Sequence, residues 1–123
     1  MSHISKIEID IKDLSTLSRA CQALGLTFTE ANQFRYYNGY APCDNVIRIP
    51  NAQYEIGVVR VEGGYALQWD DWRSGGLTQT LGADAGRLKQ AYAVERVRTE
   101  ARRRGMRVQQ KTHGSAIQLV LSA

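Results

Sequence analysis

Cysteine is scarce in this sequence of 123 residues: Cys21 and Cys43 are its only thiols, and they form no CxxC pair. Zinc ribbons and disulfide frameworks need clustered or paired cysteines, so both are excluded and both thiols are expected reduced. Histidine is as scarce, with His3 and His113 near opposite ends of the chain. Two remote imidazoles are a poor basis for a metal site, and neither metal nor cofactor is expected. No apolar run approaches the roughly 20 residues that cross a bilayer, and the N-terminal residues enter an alternating pattern without a signal-like stretch. The expectation is a cytoplasmic protein with no membrane partner. The glycines form neither GxGxxG after a strand nor GxxxxGK followed by Ser or Thr, and there is no GxSxG elbow. With those loops go the usual signatures of nucleotide binding and of Ser hydrolases.

What is present suits one folded domain over residues 1–123. A chain of this length buries roughly two thirds of its unfolded surface. Hydrophobic residues make up 43% and charged residues 23%, an ordinary balance for a globular protein. The net charge of +4 is unevenly spread. Residues 1–72 carry 6 basic and 9 acidic side chains, whereas 73–123 carry 10 and 3, so the halves hold −3 and +7. A basic half suits an anionic partner, and it equally serves to keep a small domain in solution.

One local pattern occurs twice. Ala23-Leu24-Gly25-Leu26-Thr27-Phe28-Thr29 is echoed by Arg103-Arg104-Gly105-Met106-Arg107-Val108-Gln109, each preceded by a helical stretch. Glycine just past a helix end adopts positive φ without a Cβ clash, and the alternation that follows suits a strand. Ser5 to Ile11 alternates polar and apolar residues as a first strand. Asp13 is a helix N-cap ahead of Leu14, Leu17, Cys21 and Leu24, a single apolar stripe ending at Gly25. Leu26 and Phe28 face Phe34 and Tyr36 across Ala31-Asn32-Gln33 as an expected hairpin, followed by a loop from Asn38 to Asn45. Val46–Ile49 reads as a short strand, and Tyr54–Val61 with Tyr65–Asp70 as a glycine hairpin. Arg73 to Gly82 reads as a flexible loop, Ala83 to Arg104 as the second helix, and 106–111 and 116–121 as closing strands. The implied fold is α+β: a two-layer sandwich, its sheet largely antiparallel, two helices on one face, and the echoed segments as candidate pseudo-twofold βαβ halves.

Lys89, Arg96 and Arg103 recur every seven residues on the second helix, and with Arg104 and Arg107 they form a candidate basic surface for phosphates. The competing account is a solvated helix face whose arginines pair with Glu95 and Glu100. No helix-turn-helix spacing or RNP-type aromatic strand accompanies the charge. Trp69-Asp70-Asp71-Trp72 is a second candidate. It sets two carboxylates beside two indoles, but adjacent strand residues point to opposite faces, so packing and turn capping compete with a ligand site.

The start Met1-Ser2-His3-Ile4-Ser5-Lys6-Ile7, the phrase Gly64-Tyr65-Ala66-Leu67-Gln68-Trp69-Asp70, Leu88-Lys89-Gln90-Ala91-Tyr92-Ala93 and the end His113-Gly114-Ser115-Ala116-Ile117-Gln118-Leu119-Val120-Leu121 resemble one family. It is the uncharacterised family of small proteins from cyanobacteria, algal plastids and scattered other bacteria, matched least from Asn38 to Pro50. The resemblance implies no catalytic residues. It implies an accessory or adaptor role, because some members look to be encoded near AAA-type ATPases.

The resulting expectation is a small non-catalytic interaction module that presents its sheet or its arginine-rich second helix to a protein partner. The alternative is a nucleic-acid or polyanion binder using Lys89, Arg96, Arg103, Arg104 and Arg107. A third reading, an enzyme or small-ligand protein, would use Trp69 to Trp72. Oligomeric state is left open.

Overall fold

A computed structural model describes residues 3–123; Met1 and Ser2, at the family-like start, lie outside the described residues. Alternation builds the first strand, β1 (Ile4–Ile11), in which Ile7 and Ile11 are buried while Lys6, Glu8 and Asp10 are exposed. Two residues on, Asp13 starts α1 (Leu14–Ala23): its carboxylate accepts from the Ser15 backbone N–H at 3.1 Å and from the Ser15 and Thr16 hydroxyls at 2.8 and 2.7 Å. The Thr16 hydroxyl first, and then Ser15, hold the Asp13 carboxyl below its ordinary 3.8. A pKa lower in the folded than in the unfolded chain means stability that is complete above the ordinary value and lost as pH falls through the folded one. Asp13→Ala is expected to cost about 1 kcal/mol at neutral pH. Urea titrations of both proteins should show that gap shrinking in strong acid; a gap independent of pH would rule out the charged cap.

Six more strands follow: β2 (Thr27–Glu30), β3 (Gln33–Tyr36), β4 (Gly39–Pro42), β5 (Asn45–Arg48), β6 (Glu55–Val61) and β7 (Gly64–Asp70). Five of the strands form one antiparallel sheet in the order β1-β7-β6-β5-β2. Its register aligns Ile7 with Leu67, Leu67 with Val58, Ile56 with Ile47 and Ile47 with Phe28, which gathers these side chains on one face. Leu17, Ala20 and Cys21 of α1 and Leu88 and Tyr92 of a long helix, α3 (Gly86–Arg103), close the core over that face. The Tyr92 hydroxyl accepts from the Lys12 backbone N–H, and Arg19 Nη2 donates to Thr99 Oγ1, tying α3 to the start and flank of α1. The fold is α+β, as the alternation implies.

Strand pairing departs from the expected order in one region. β2 pairs with β5 and not with β3, while Asn38 to Asn45, expected as a loop, contains β4, the partner of β3. Period-2 alternation tells which face a residue occupies but leaves its neighbour strand open. The β3–β4 hairpin lies on the side of the sheet opposite the helices. There Phe34 lies fully buried against Gly57 of β6, so close that a Cβ at Gly57 would fall 2.2 Å from the Phe34 Cδ1. Val46 and Ala66 are also buried on this side, making a second, smaller core.

The segment from Arg73 to Gly82 also differs from its expectation. It holds a 3-10 turn and a short helix, α2 (Leu77–Leu81), because Leu77 and Leu81 insert into the main core. The second helix begins later than Ala83, since Asp84 and Ala85, within a 3-10 turn over Ala83–Ala85, have positive φ and interrupt the helix before α3.

The echoed segments do close their helices identically. After α1, Leu26 N–H donates to Cys21 C=O and Gly25 N–H to Gln22 C=O; after α3, Met106 N–H donates to Ala101 C=O and Gly105 N–H to Arg102 C=O. This is the Schellman arrangement, with Gly25 at φ 74° and Gly105 at φ 68°. The strands that follow part company. β2 enters the main sheet, whereas β8 (Arg107–His113), among the described residues, pairs only with β9 (Ala116–Ser122), forming a separate two-stranded arm beside α3.

Candidate interaction surfaces

The five candidate basic residues, Lys89, Arg96, Arg103, Arg104 and Arg107, do not converge on one patch. Lys89 is paired with Asp84 at the start of α3, while Arg103 and Arg104 share Glu100 at 3.3 and 3.1 Å. Fourteen residues of helix put Lys89 about 21 Å from Arg103 along the axis. Arg107 lies beyond the helix on β8, opposite Ser122. Of these five, Arg96 and Arg104 share a cleft among the described residues, an open groove between the start of α1 and α3 whose lining includes Lys12, Asp13, Tyr92 and Glu100. Three cations there meet two carboxylates, so the groove carries little net charge. Arg87, Arg98 and Arg102 line another groove on the opposite flank of α3 with Glu95.

The acidic aromatic segment is divided by the strand alternation. Trp69 is 2% exposed and packs in the helix-side core, and Asp70, on the opposite face, is 0% exposed. Asp71 and Trp72 emerge from the end of β7 into solvent. The four residues therefore form no joint acidic site. A buried carboxylate is costly unless hydrogen bonds satisfy it. Asp70 Oδ1 accepts from the Trp72 N–H at 3.0 Å and Oδ2 from the Tyr37 N–H at 3.2 Å. One carboxylate thus fixes two backbone segments, the exit from β7 and the tip of the β3–β4 hairpin.

Both fixed residues carry exposed aromatic side chains: Tyr37 is 60% and Trp72 46% exposed. Tyr40, across the same hairpin from Arg35, is also exposed. Neither tyrosine stands out in the sequence as a site residue. The available signal was the placing of aromatic residues around the turn Asn38-Gly39, where a core has no use for them. Beside this hairpin, Glu55 accepts from the Arg35 backbone N–H and from Arg48 Nε, both at 2.8 Å, bracing its base against β5 and β6.

The thiols are poorly disposed to act as nucleophiles. Burial pushes Cys21 up to about 12. Burial also raises Cys43, helped by the nearby Asp44 and Glu55 carboxylates, and its Sγ donates to the Ala31 carbonyl at 3.3 Å. Among the described residues no three His, Cys, Asp or Glu side chains gather in a metal-ligating group, and no helix is long and apolar enough to cross a membrane.

A family profile described as a protein of unknown function (DUF1257) matches residues 20–120. No curated protein and no solved structure matches the chain.

Proposed function

We propose, for a chain that belongs to the DUF1257 family of unknown function, a non-catalytic role as an interaction or adaptor module that engages a protein partner through Tyr37 and Trp72. The observation that carries this reading is the Asp70 carboxylate, which holds the backbones of both residues while their side chains stand in solvent. Large aromatic side chains dominate binding energy at protein interfaces, and a backbone ordered before binding lowers the entropic cost of association. Tyr40 widens the surface on the same hairpin. An AAA-type ATPase is the partner that the family resemblance suggests.

Affinity capture from the native host, with mass spectrometry of the recovered proteins, tests the reading. A partner held by the wild-type chain should be lost with Tyr37→Ala and Trp72→Ala, with the circular dichroism of both variants unchanged. Recovery of the same proteins by all three chains would overturn it.

Polyanion binding is the second reading, favoured by the meeting of Lys12, Arg96 and Arg104 around one groove. Its mark is affinity for DNA or RNA that falls steeply with salt and drops again in Arg96→Ala. Because Asp13 and Glu100 line the same groove, the expected affinity is weak and confined to low salt, and its absence at low salt removes this reading.

A further inference from the structure

An exposed strand edge offers unpaired N–H and C=O groups to any other strand, and folded proteins guard such edges with charge, proline, bulges or brevity. Nearly every edge of this molecule has a guard. β1 carries Lys6, Glu8 and Asp10 and a register shift between Ile7 and Ile11. β2, β3 and β4 are 4 residues each, with Glu30 in β2, Arg35 in β3 and Pro42 in β4. β8 carries Arg107 and Lys111. β9 has none of these: Ala116-Ile117-Gln118-Leu119-Val120-Leu121-Ser122 is 7 residues long, without charge, proline or glycine. Among the described residues it pairs only with β8, and at its far end Val120 is 36% and Leu121 43% exposed.

We propose that β9 is a pairing edge for a second copy of this chain, joined antiparallel to β9 of that copy about a two-fold axis at Leu119. The hairpin geometry supplies the register. Gly114 and Ser115 form a two-residue loop with Gly114 at φ 62°, so His113 and Ala116 are the hydrogen-bonded pair that closes it. Hydrogen-bonded and non-bonded pairs then alternate along the ladder, and the N–H and C=O groups of Ile117, Leu119 and Leu121 point away from β8. Centred on Leu119, a second β9 sets Leu119 opposite its own copy and Ile117 opposite Leu121. Every outward backbone group meets a matching one.

The lack of charge and the matched apolar positions of β9 suit a second copy of the same strand. No ionised side chain lies between Ala116 and Ser122, so two copies of β9 approach without repulsion at the seam. The basic residues Arg107 and Lys111 sit one strand farther out, about 5 Å from β9. Ile117, Leu119 and Leu121 share the arm face that also bears Val108, and pairing extends this apolar layer across the axis. A β8–β8 contact would instead bring the arginines and lysines of two copies together. The seam is remote in kind from the aromatic surface and does not depend on it, since Trp72→Ala leaves β9 untouched.

Sedimentation equilibrium of the full chain over a concentration series, combined with amide hydrogen exchange, tests the proposal. The wild-type chain is expected to reach twice its monomer mass. Val120→Lys and Leu121→Pro should return it to the monomer mass, the first by adding charge beside the axis and the second by removing an outward N–H. The Ile117, Leu119 and Leu121 amides should exchange slowly in the dimer and faster on dilution or in Val120→Lys, while circular dichroism stays unchanged. A wild-type chain that is monomeric throughout overturns the proposal, as does a dimer that survives both substitutions or exchanges those amides at the solvent rate. Protection of the same amides only on addition of another protein would assign the edge to a foreign strand and also overturn it.

Discussion

Trp69→Ala should lose about 3–5 kcal/mol of folding stability, while Trp72→Ala, three residues away, should stay within about 0.5 kcal/mol of the wild type. The contrast follows from one alternation carried past a strand end. Trp69 stands opposite Ser5 of β1 and fills the core beneath the helices, where its removal leaves a cavity in a close-packed interior. Trp72 stands in solvent after the strand has ended. A domain of this kind has only about 5–15 kcal/mol in total, so the first change removes a large part of it. Denaturant titration of the two variants measures both numbers. Equal losses would mean that Trp72 is packed and would remove the exposed aromatic pair on which partner binding is argued.

Gly57→Ala should cost about 1–3 kcal/mol although it adds a single methyl group. The new carbon falls within 2.2–2.8 Å of three atoms of the Phe34 ring, and the ring is held there by the β3–β4 hairpin, whose tip is fastened to Asp70. Either the hairpin lifts from the sheet or β6 bows away from it. Phe34→Leu creates space in the same place, so the double variant should lose less than the sum of the singles, with a coupling of about 0.5–3 kcal/mol. Strict additivity in a double-mutant cycle would show that Phe34 and Gly57 do not limit one another. Because Tyr37 is carried on the same hairpin, Gly57→Ala should weaken partner capture as well as stability.

The two tests mark what the sequence makes legible. Alternation in β1, β6 and β7 and the cap at Asp13 are local features, and the structure contains them near their expected positions. The twin glycine stops are local too, down to the same pair of backbone hydrogen bonds. The partner of β2 was hidden because Phe28 needs only the helix-side face, which it reaches beside β5 as well as it would beside β3. The short helix α2 was hidden because Leu77 and Leu81 are outnumbered by turn-forming neighbours, and only tertiary burial decides between helix and loop for five residues. At the candidate site the segment Trp69 to Trp72 attracted notice for its composition. What organises it is a contact to Tyr37, 33 residues away along the chain, which no spacing rule reveals. The back-face core left the least trace, since its key is the side chain that Gly57 lacks.

The cap at Gly105 has a mechanical consequence. The arm joins the rest of the molecule through the end of α3 and by side contacts such as Arg98 with Gln110 and Gln90 with the Ser115 carbonyl, and among the described residues it shares no ladder with the five-stranded sheet. A pull on β9 therefore travels along α3 toward α1, whereas a pull on the aromatic hairpin travels through Phe34 and Asp70 into β6 and β7. The two attachments meet the sheet from opposite faces, and the core that joins them is the one formed by Leu88 and Tyr92 of α3 with Val58 of β6 and Leu67 of β7.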